Sequence, residues 1–204
     1  MEQYIGTLEA LNRALFLKIN ASPAEPAWLV NGVTLIATDL IYMIPLLLLT
    51  MWFWGEEARR NLALKACLVA ALGVGLNQLI RFAWPHPRPF MLGLGQTYLS
   101  HAPDSSFPSD HMTLFVAIAL SLLIGVSTRL AVLTLLAGLC NGWARIFLGI
   151  HFPLDMVGAV GVAGIAYAIV SPIWRKRGDA TMRLAERIYR KILALPIASG
   201  WIRR

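Results

Sequence analysis

The hydrophobic pattern divides the chain into long apolar runs separated by short stretches that carry most of the polar residues. As α-helices, these runs are each about long enough to cross a hydrocarbon core of about 30 Å at about 1.5 Å per residue. There are five of them, at residues 29–54, 62–83, 111–126, 129–148 and 154–174, and the third is the shortest. The pattern therefore predicts an all-α fold, a polytopic membrane helical bundle with about five transmembrane helices.

Two flanking segments repeat apolar residues at helical spacing but mix them with charged ones. Residues 1–27 place Leu8, Leu11 and Leu15 on one helical face, and residues 175–204 alternate basic and apolar side chains. Both patterns are typical of amphipathic helices that lie at a membrane interface. We therefore expect one domain in three parts: an N-terminal interfacial helix (1–27), a transmembrane core (28–174) and a basic tail (175–204).

Composition supports a membrane protein. Of the 204 residues, 57% are hydrophobic and only 14% are charged, with a mean hydropathy of +0.63, which is too apolar for the surface of a soluble domain. The net charge of +7 does not indicate nucleic acid, because the Lys and Arg residues lie between and after the apolar runs. Cys67 and Cys140 lie inside such runs, which favours small buried apolar residues over a disulfide or a metal site.

The basic residues also predict an orientation. With five spans, thirteen of the eighteen Lys and Arg residues fall on the side of the tail. Since cytoplasmic segments retain positive charge, the C-terminus is expected in the cytoplasm. The amino terminus and the polar clusters described next would then face away from the cytoplasm.

Three polar clusters stand out between the apolar runs. They are Arg81 with Arg88-Pro89, then Pro108-Ser109-Asp110-His111, then Arg145 with His151 and Asp155. Arginine offers a planar fork of donors that fits phosphate oxygens and keeps its charge near neutral pH. Three arginines, two imidazoles, a hydroxyl and the Asp155 carboxylate together indicate a phosphate site.

The spacing of these residues suggests a chemistry. Ser109 precedes an apolar helix as a candidate cap, so the amides of the first turn could face an anion. His151 and Asp155 are four residues apart at a helix start, where a carboxylate on one ring nitrogen would leave the other as a nucleophile. His111 could then protonate a departing oxygen.

Other interpretations of the same residues stay open at this stage. Charged side chains near the ends of spans often only extend to the membrane interface and have no further role. His and Asp together can also bind zinc. Three nearby arginines would repel a cation, so the set favours an anion over a metal. A lipid carrier that binds a headgroup with its arginines, without any catalysis, is a further possibility, although binding alone needs no oriented His151.

The motif series resembles a known family. Arg81-x6-Arg88-Pro89, Pro108-Ser109-Asp110-His111 and Arg145-x5-His151-x3-Asp155 are similar to the three-part signature of the type-2 phosphatidic acid phosphatase superfamily. The Ser-Asp-His form, the short length and the ending from Ala194 to Trp201 look most like bacterial undecaprenyl-diphosphate phosphatases. The resemblance covers the membrane core from about the first span to the fifth.

The resemblance implies roles for the site residues. His151 would be the nucleophile that forms a phosphohistidine, Asp155 its orienting partner and His111 the general acid. The phosphate-binding set would comprise Arg81, Arg88, Ser109, Asp110 and Arg145. No metal and no cofactor is implied.

Three positions depart from the family's pattern. Arg81 stands where Lys is common, Ala144 where a Ser often precedes the motif's Arg, and Asp110 where Gly is more widespread. Because a carboxylate repels a diphosphate, we expect Asp110 to point away, to bridge to an arginine or to meet a substrate-bound cation.

The function implied by the resemblance is removal of the terminal phosphate from a polyprenyl diphosphate, undecaprenyl diphosphate, at the periplasmic face of a bacterial inner membrane. This reaction would recycle the carrier lipid of cell-wall synthesis and lower sensitivity to bacitracin. The motif residues are expected to contact the phosphate and not the lipid tail, so they do not identify the tail. Phosphatidylglycerophosphate, phosphatidic acid, or transfer of the phosphoryl group to lipid A therefore remain alternatives.

Overall fold

A computed structural model of the chain describes residues 2–125 and 128–203, and the regular structure in these ranges is helical throughout. Met1, Val126 at the predicted end of the third run, and Arg204 at the end of the tail lie outside them. The α-helices are α1 (Glu2–Ile19), α2 (Ala27–Thr38), α3 (Met43–Phe53), α4 (Glu57–Ala83), α5 (Asp110–Leu123), α6 (Thr128–Phe147), α7 (Pro153–Ile192) and α8 (Ala194–Ala198). The prediction of an all-α fold is confirmed.

Four helical stretches of the described chain are long and apolar enough to cross a membrane. They are Ala27–Phe53, which joins α2 to α3, and the helices α4, α6 and α7. The third predicted run forms α5, whose 14 residues extend over about 21 Å. The chain is a multi-pass membrane protein, and α5 is the short helix in its interior.

The first predicted run is not one regular helix. α2 ends at Thr38, a 3-10 turn follows at Leu40–Tyr42, and α3 begins at Met43. Pro45, which has no backbone N–H to donate, lies in the first turn of α3, where such a donor has no partner within the helix. The 27-residue stretch that contains the break is still long and apolar enough to cross a membrane.

α5 forms the centre of the packing. It contacts α4, α6 and α7, and Phe115, Ile118 and Leu122 are fully buried. Close approach depends on Gly138 of α6, since a Cβ at this position would lie 2.6 Å from the Cβ of Phe115. Because α5 packs against the three helices α4, α6 and α7, a helix too short to cross a membrane can lie in the interior of the bundle.

The topology brings all three polar clusters to one end of the bundle. α4 and α6 end there, at Ala83 and Phe147, and α5 and α7 begin there, at Asp110 and Pro153. We call this the motif end, and we call the end where α3 finishes and α4 begins the opposite end.

α1 packs across the motif end, on α6 and α7. The buried Asn12 accepts a hydrogen bond from the Leu154 N–H at 3.0 Å, in the first turn of α7. The rings of Phe16 and Phe152 meet edge to face with centroids 5.3 Å apart. The N-terminal segment is therefore helical as predicted, and it also supports the start of α7.

The basic tail is helical but is not a separate helix. α7 runs without interruption for 40 residues past the predicted boundary at residue 174. Pro172 lies within it, and the residues that follow are mostly good helix formers, so nothing in the sequence ends the helix there. Met182 and Tyr189 are buried, and Tyr189 packs against Trp52 and Phe53 at the opposite end.

Candidate active site

His151 and Asp155 form the centre of the motif end. The His151 Nδ1 lies 2.9 Å from the Asp155 Oδ2, and both side chains are buried. Asp155 reaches back from the first turn of α7 to accept the Phe152 N–H at 2.8 Å, as acidic residues at this position of a helix often do. The pair predicted from the four-residue spacing is therefore in contact, and the helix start fixes the carboxylate.

A third donor to the same carboxylate oxygen was not found from the sequence. The buried Ser106 hydroxyl also donates to the Asp155 Oδ2. The Asp155 Oδ1 is buried and has no hydrogen-bond partner in the described part of the chain. Because Ser106 lies 49 residues before Asp155, no local pattern could connect them.

The arginine beside His151 determines which ring nitrogen carries the proton. Arg88 Nη1 lies 3.3 Å from the His151 Nε2, and a guanidinium can only donate. The Nε2 must therefore accept with its lone pair, which places the proton on Nδ1, facing Asp155. Burial, and after it the charges of Arg145 and Arg88, lower the pKa of His151 well below its ordinary range. The ring is neutral at neutral pH, and the lone pair of its Nε2 faces Arg88.

Arg88 is almost completely buried, and acceptors surround its guanidinium. Nε donates to the Asp104 Oδ1 at 2.8 Å, and Nη1 donates to the Ile150 carbonyl at 2.8 Å as well as approaching His151. Nη2 lies 3.4 Å from the Ser105 carbonyl. Burial lowers the pKa of Arg88, and Asp104 opposes this effect.

Arg145 and His111 form a second pair of arginine and imidazole. Arg145 Nη1 lies 3.3 Å from the His111 Nε2 and 3.1 Å from the carbonyl of Ala37 at the end of α2. Asn141, one turn earlier in α6, donates to the same carbonyl at 3.1 Å. The Arg145 Nε is buried without a partner among the described residues, so this guanidinium has unused capacity to bind an anion.

Ser109 caps α5 as predicted. Its Oγ accepts the Met112 N–H at 3.4 Å, and the residue is fully buried. The hydroxyl proton remains available to an anion. The first backbone bond of the helix runs from the Thr113 N–H to the Ser109 carbonyl, so the amides of Asp110 and His111 have no partner within the helix.

Asp110 has the bridge to an arginine that was one of the three arrangements expected for it. Arg81 donates to the Asp110 Oδ2 at 2.8 Å and to the Pro108 carbonyl at 2.9 Å, and Asn77 donates to the Asp110 Oδ1 at 2.8 Å. The carboxylate therefore faces α4. Both terminal nitrogens of Arg81 therefore donate to residues at or just before the start of α5. A direct contact of Arg81 with phosphate stays a prediction.

The other two histidines lie in the loop between α4 and α5. His86 stacks between the rings of Trp84 and Phe152, and its backbone N–H donates to Ser105. His101 Nδ1 lies 3.5 Å from the Asp104 Oδ1. Both support the loop that covers the site.

An oriented His151 and two arginine–imidazole pairs at one end of a multi-pass helical bundle form a site suited to phosphate chemistry. The comparisons with known proteins agree. The chain belongs to the PAP2 superfamily, whose sequence model matches residues 62–179.

Two curated relatives and one solved structure extend this result. YbjG of Escherichia coli (strain K12) has a name that assigns it provisionally to the undecaprenyl-diphosphatases. It is 36% identical to this chain over 196 residues, and the match covers 96% of this chain and 99% of YbjG. Undecaprenyl-diphosphatase BcrC of Bacillus subtilis (strain 168) is 30% identical, and the match covers 91% of this chain and 97% of BcrC. The crystal structure of Aquifex aeolicus LpxE matches with a TM-score of 0.64 and 26% identity, covering 79% of this chain and 95% of that one.

Proposed function

We propose that the protein hydrolyses the terminal phosphate of a polyprenyl diphosphate, undecaprenyl diphosphate, through a phosphohistidine intermediate at the periplasmic face of the membrane. The observation that carries the proposal is the geometry of His151. Its Nδ1 is held by Asp155 and its Nε2 lies beside Arg88, so the ring is fixed with its lone pair in a basic site. The names of the two curated relatives support the choice of substrate.

In the first step the His151 Nε2 attacks the terminal phosphorus. The bond from that phosphorus to the bridging oxygen breaks, and its electron pair leaves with the lipid phosphate. The ring becomes cationic as the new P–N bond forms, and the Asp155 carboxylate stabilises this charge through the bond to Nδ1. His111 is placed to donate a proton to the leaving oxygen.

Negative charge on the phosphoryl oxygens is met by groups already fixed in place. They are the unpartnered Nε of Arg145, the guanidinium of Arg88, the Ser109 hydroxyl and the amides at the start of α5. Each donor of this kind contributes about 10²–10³ in rate in other enzymes, because it needs no reorganisation during the reaction.

In the second step water attacks the phosphohistidine. His111 accepts the proton of that water, the P–N bond breaks and its electron pair returns to the His151 Nε2. The products are inorganic phosphate and the neutral ring. His111 therefore serves as acid in the first step and as base in the second.

The membrane position suits a lipid substrate. The site lies at the motif end of a bundle of apolar helices, so a prenyl tail can remain in the bilayer while its diphosphate reaches His151. The basic residues of the α4 start and of the tail cluster at the opposite end, which favours a cytoplasmic location for that end. The motif end then faces the periplasm.

The test is phosphate release from undecaprenyl diphosphate by the purified full chain in detergent, with a chelator present, for the wild type and His151→Ala. We expect release by the wild type and its loss in the variant. Release that persists in His151→Ala would contradict the mechanism. If neither protein acts on this lipid, phosphatidylglycerophosphate, phosphatidic acid and lipid A as acceptor are the next substrates, and failure with all of them would favour a lipid-binding protein.

A further inference from the structure

We propose that Asp104 is a displaceable carboxylate that pairs with Arg88 and competes with substrate and product phosphate for this guanidinium. The inference rests on the proposed function and adds a residue that controls how tightly the site holds phosphate. Asp104 lies outside the three motifs, in the loop between α4 and α5.

Arg88 has no unused place for a phosphate oxygen next to its Nε. That nitrogen donates to Asp104 at 2.8 Å, and Nη1 is divided between the Ile150 carbonyl and the His151 ring. Nη2 faces the Ser105 carbonyl at 3.4 Å. A phosphate that binds Arg88 through Nε must therefore replace a partner.

Of these partners, Asp104 is the one that can leave without moving the backbone. Ile150 is fully buried and its N–H is bonded to the Arg145 carbonyl, so its own carbonyl is fixed. The Ser105 carbonyl also belongs to the backbone. The hydroxyl of the same residue accepts a hydrogen bond from the His86 N–H, which holds Ser105 in place. The Asp104 side chain is 50% exposed and needs only a side-chain rotation to withdraw.

The exchange replaces one anion on the guanidinium by another. A guanidinium binds carboxylate and phosphate with the same fork of donors, so one anion can replace the other. Partial burial acts to raise the pKa of Asp104, but the hydrogen bond and charge of Arg88 prevail and lower it. Asp104 is thus ionised at neutral pH. Its carboxylate neutralises the buried Arg88 cation.

Two consequences follow for turnover. Substrate must displace Asp104, which weakens its binding, and Asp104 returns to Arg88 as inorganic phosphate leaves, which assists release. Removing the charge of Asp104 should therefore strengthen the binding of substrate and of product alike.

The experiment compares the wild type with Asp104→Asn, which keeps the shape and removes the charge. Asp104→Ala serves as a second variant. Glu25→Gln is the matched control, since Glu25 lies in a loop at the same end and contacts Ser22 rather than an arginine. Three quantities are measured on the full chain in detergent: the KM for the lipid, the inhibition constant of inorganic phosphate against lipid turnover, and the rise in Tm caused by inorganic phosphate alone.

For both Asp104 variants we expect inhibition at about ten-fold lower phosphate, a lower KM and a larger rise in Tm, with no change in Glu25→Gln. A raised KM with unchanged or weaker phosphate binding would overturn the proposal and make Asp104 a support that positions Arg88. An equal change in Glu25→Gln would overturn it too, since long-range charge alone would then suffice.

The Tm measurement separates this proposal from the proposed function. If no lipid is turned over but phosphate still stabilises Asp104→Asn more than the wild type, the phosphatase proposal fails and the competition at Arg88 holds. If phosphate stabilises neither protein, the competition at Arg88 is wrong, whatever the activity.

Discussion

Both ends of the bundle hold buried arginines, and their surroundings are different. At the opposite end, Arg60 is 3% exposed, donates to the backbone carbonyls of Trp52 and Arg203 and lies over the ring of Tyr189. At the motif end, Arg88 and Arg145 are equally buried, yet each has a terminal nitrogen beside a histidine ring.

The difference shows that burial does not by itself identify a functional arginine. The carbonyls, the Tyr189 ring and the Glu186 carboxylate, which lies 4.0 Å from Arg60, belong to chain segments that Arg60 ties together, so Arg60 stabilises the fold of the tail. The partners of Arg88 and Arg145 include nitrogens that exchange protons, and the Arg145 Nε has no partner among the described residues. Arginines with such incomplete or exchangeable partners are suited to bind an anion.

The largest effect that separates the two ends is expected for His151→Ala. Loss of the nucleophile should lower phosphate release by about 10⁴-fold or more, while the fold of both ends is retained. Single-turnover release measured on purified protein, together with Tm, checks this expectation. Residual release above about one hundredth of the wild-type rate would show that another group attacks phosphorus.

A direct test of the comparison pairs Arg145→Lys with Arg60→Gln. Arg145→Lys should lower kcat by about 10²–10³-fold with little change in Tm, because Lys lacks the planar fork. Arg60→Gln should destabilise the fold by about 2 kcal/mol, since it removes donors from buried carbonyls, and should keep kcat per folded molecule. The measurements are kcat and Tm for both variants. A lower Tm with unchanged kcat in Arg145→Lys, together with a lower kcat in Arg60→Gln, would contradict the comparison.

The next effect concerns His111 and depends on the leaving group. His111→Gln should slow hydrolysis of a lipid monophosphate by about 10²–10⁴-fold, because an alcohol leaves poorly without a proton. Hydrolysis of a lipid diphosphate should fall by only about ten-fold, since a phosphate leaves more easily. The ratio of the two rates in one protein preparation is the measurement. An equal loss on both substrates would mean that His111 serves the site mainly by holding Arg145.

The smallest effect is expected at Ser106, which acts through Asp155. Ser106→Ala should lower kcat by about ten-fold, and Ser106→Thr should restore much of it by returning the hydroxyl. Ser105→Ala is the matched control, because the Ser105 hydroxyl contacts the loop and not Asp155. If Ser106→Thr were as slow as Ser106→Ala while Tm stayed constant, the bond to Asp155 would not be what positions the pair.

The sequence could predict the parts of this molecule that local spacing encodes. The apolar runs gave the helices, the four-residue spacing placed Asp155 on His151, and the position before an apolar run identified the Ser109 cap. The continuous α7 was missed because the change from apolar to basic residues marks a membrane boundary and not a helix end.

Contacts across long stretches of chain could not be predicted in this way. Asp104 meets Arg88 across a loop, Ser106 meets Asp155 from 49 residues away, and Asn77 meets Asp110 from 33. Arg60 was counted only as one of the basic residues that set the orientation. In each case the partner is set by tertiary packing of helices and loops, which local spacing does not encode.

The hydrogen bond from the Leu154 N–H to Asn12 has a consequence for biogenesis. These residues are separated by 142 positions, and a ribosome delivers α1 long before the start of α7. The contact between α1 and the start of α7 can therefore form only after all the intervening spans have been made. Until then the first turn of α7, which carries Asp155, lacks the support of Asn12.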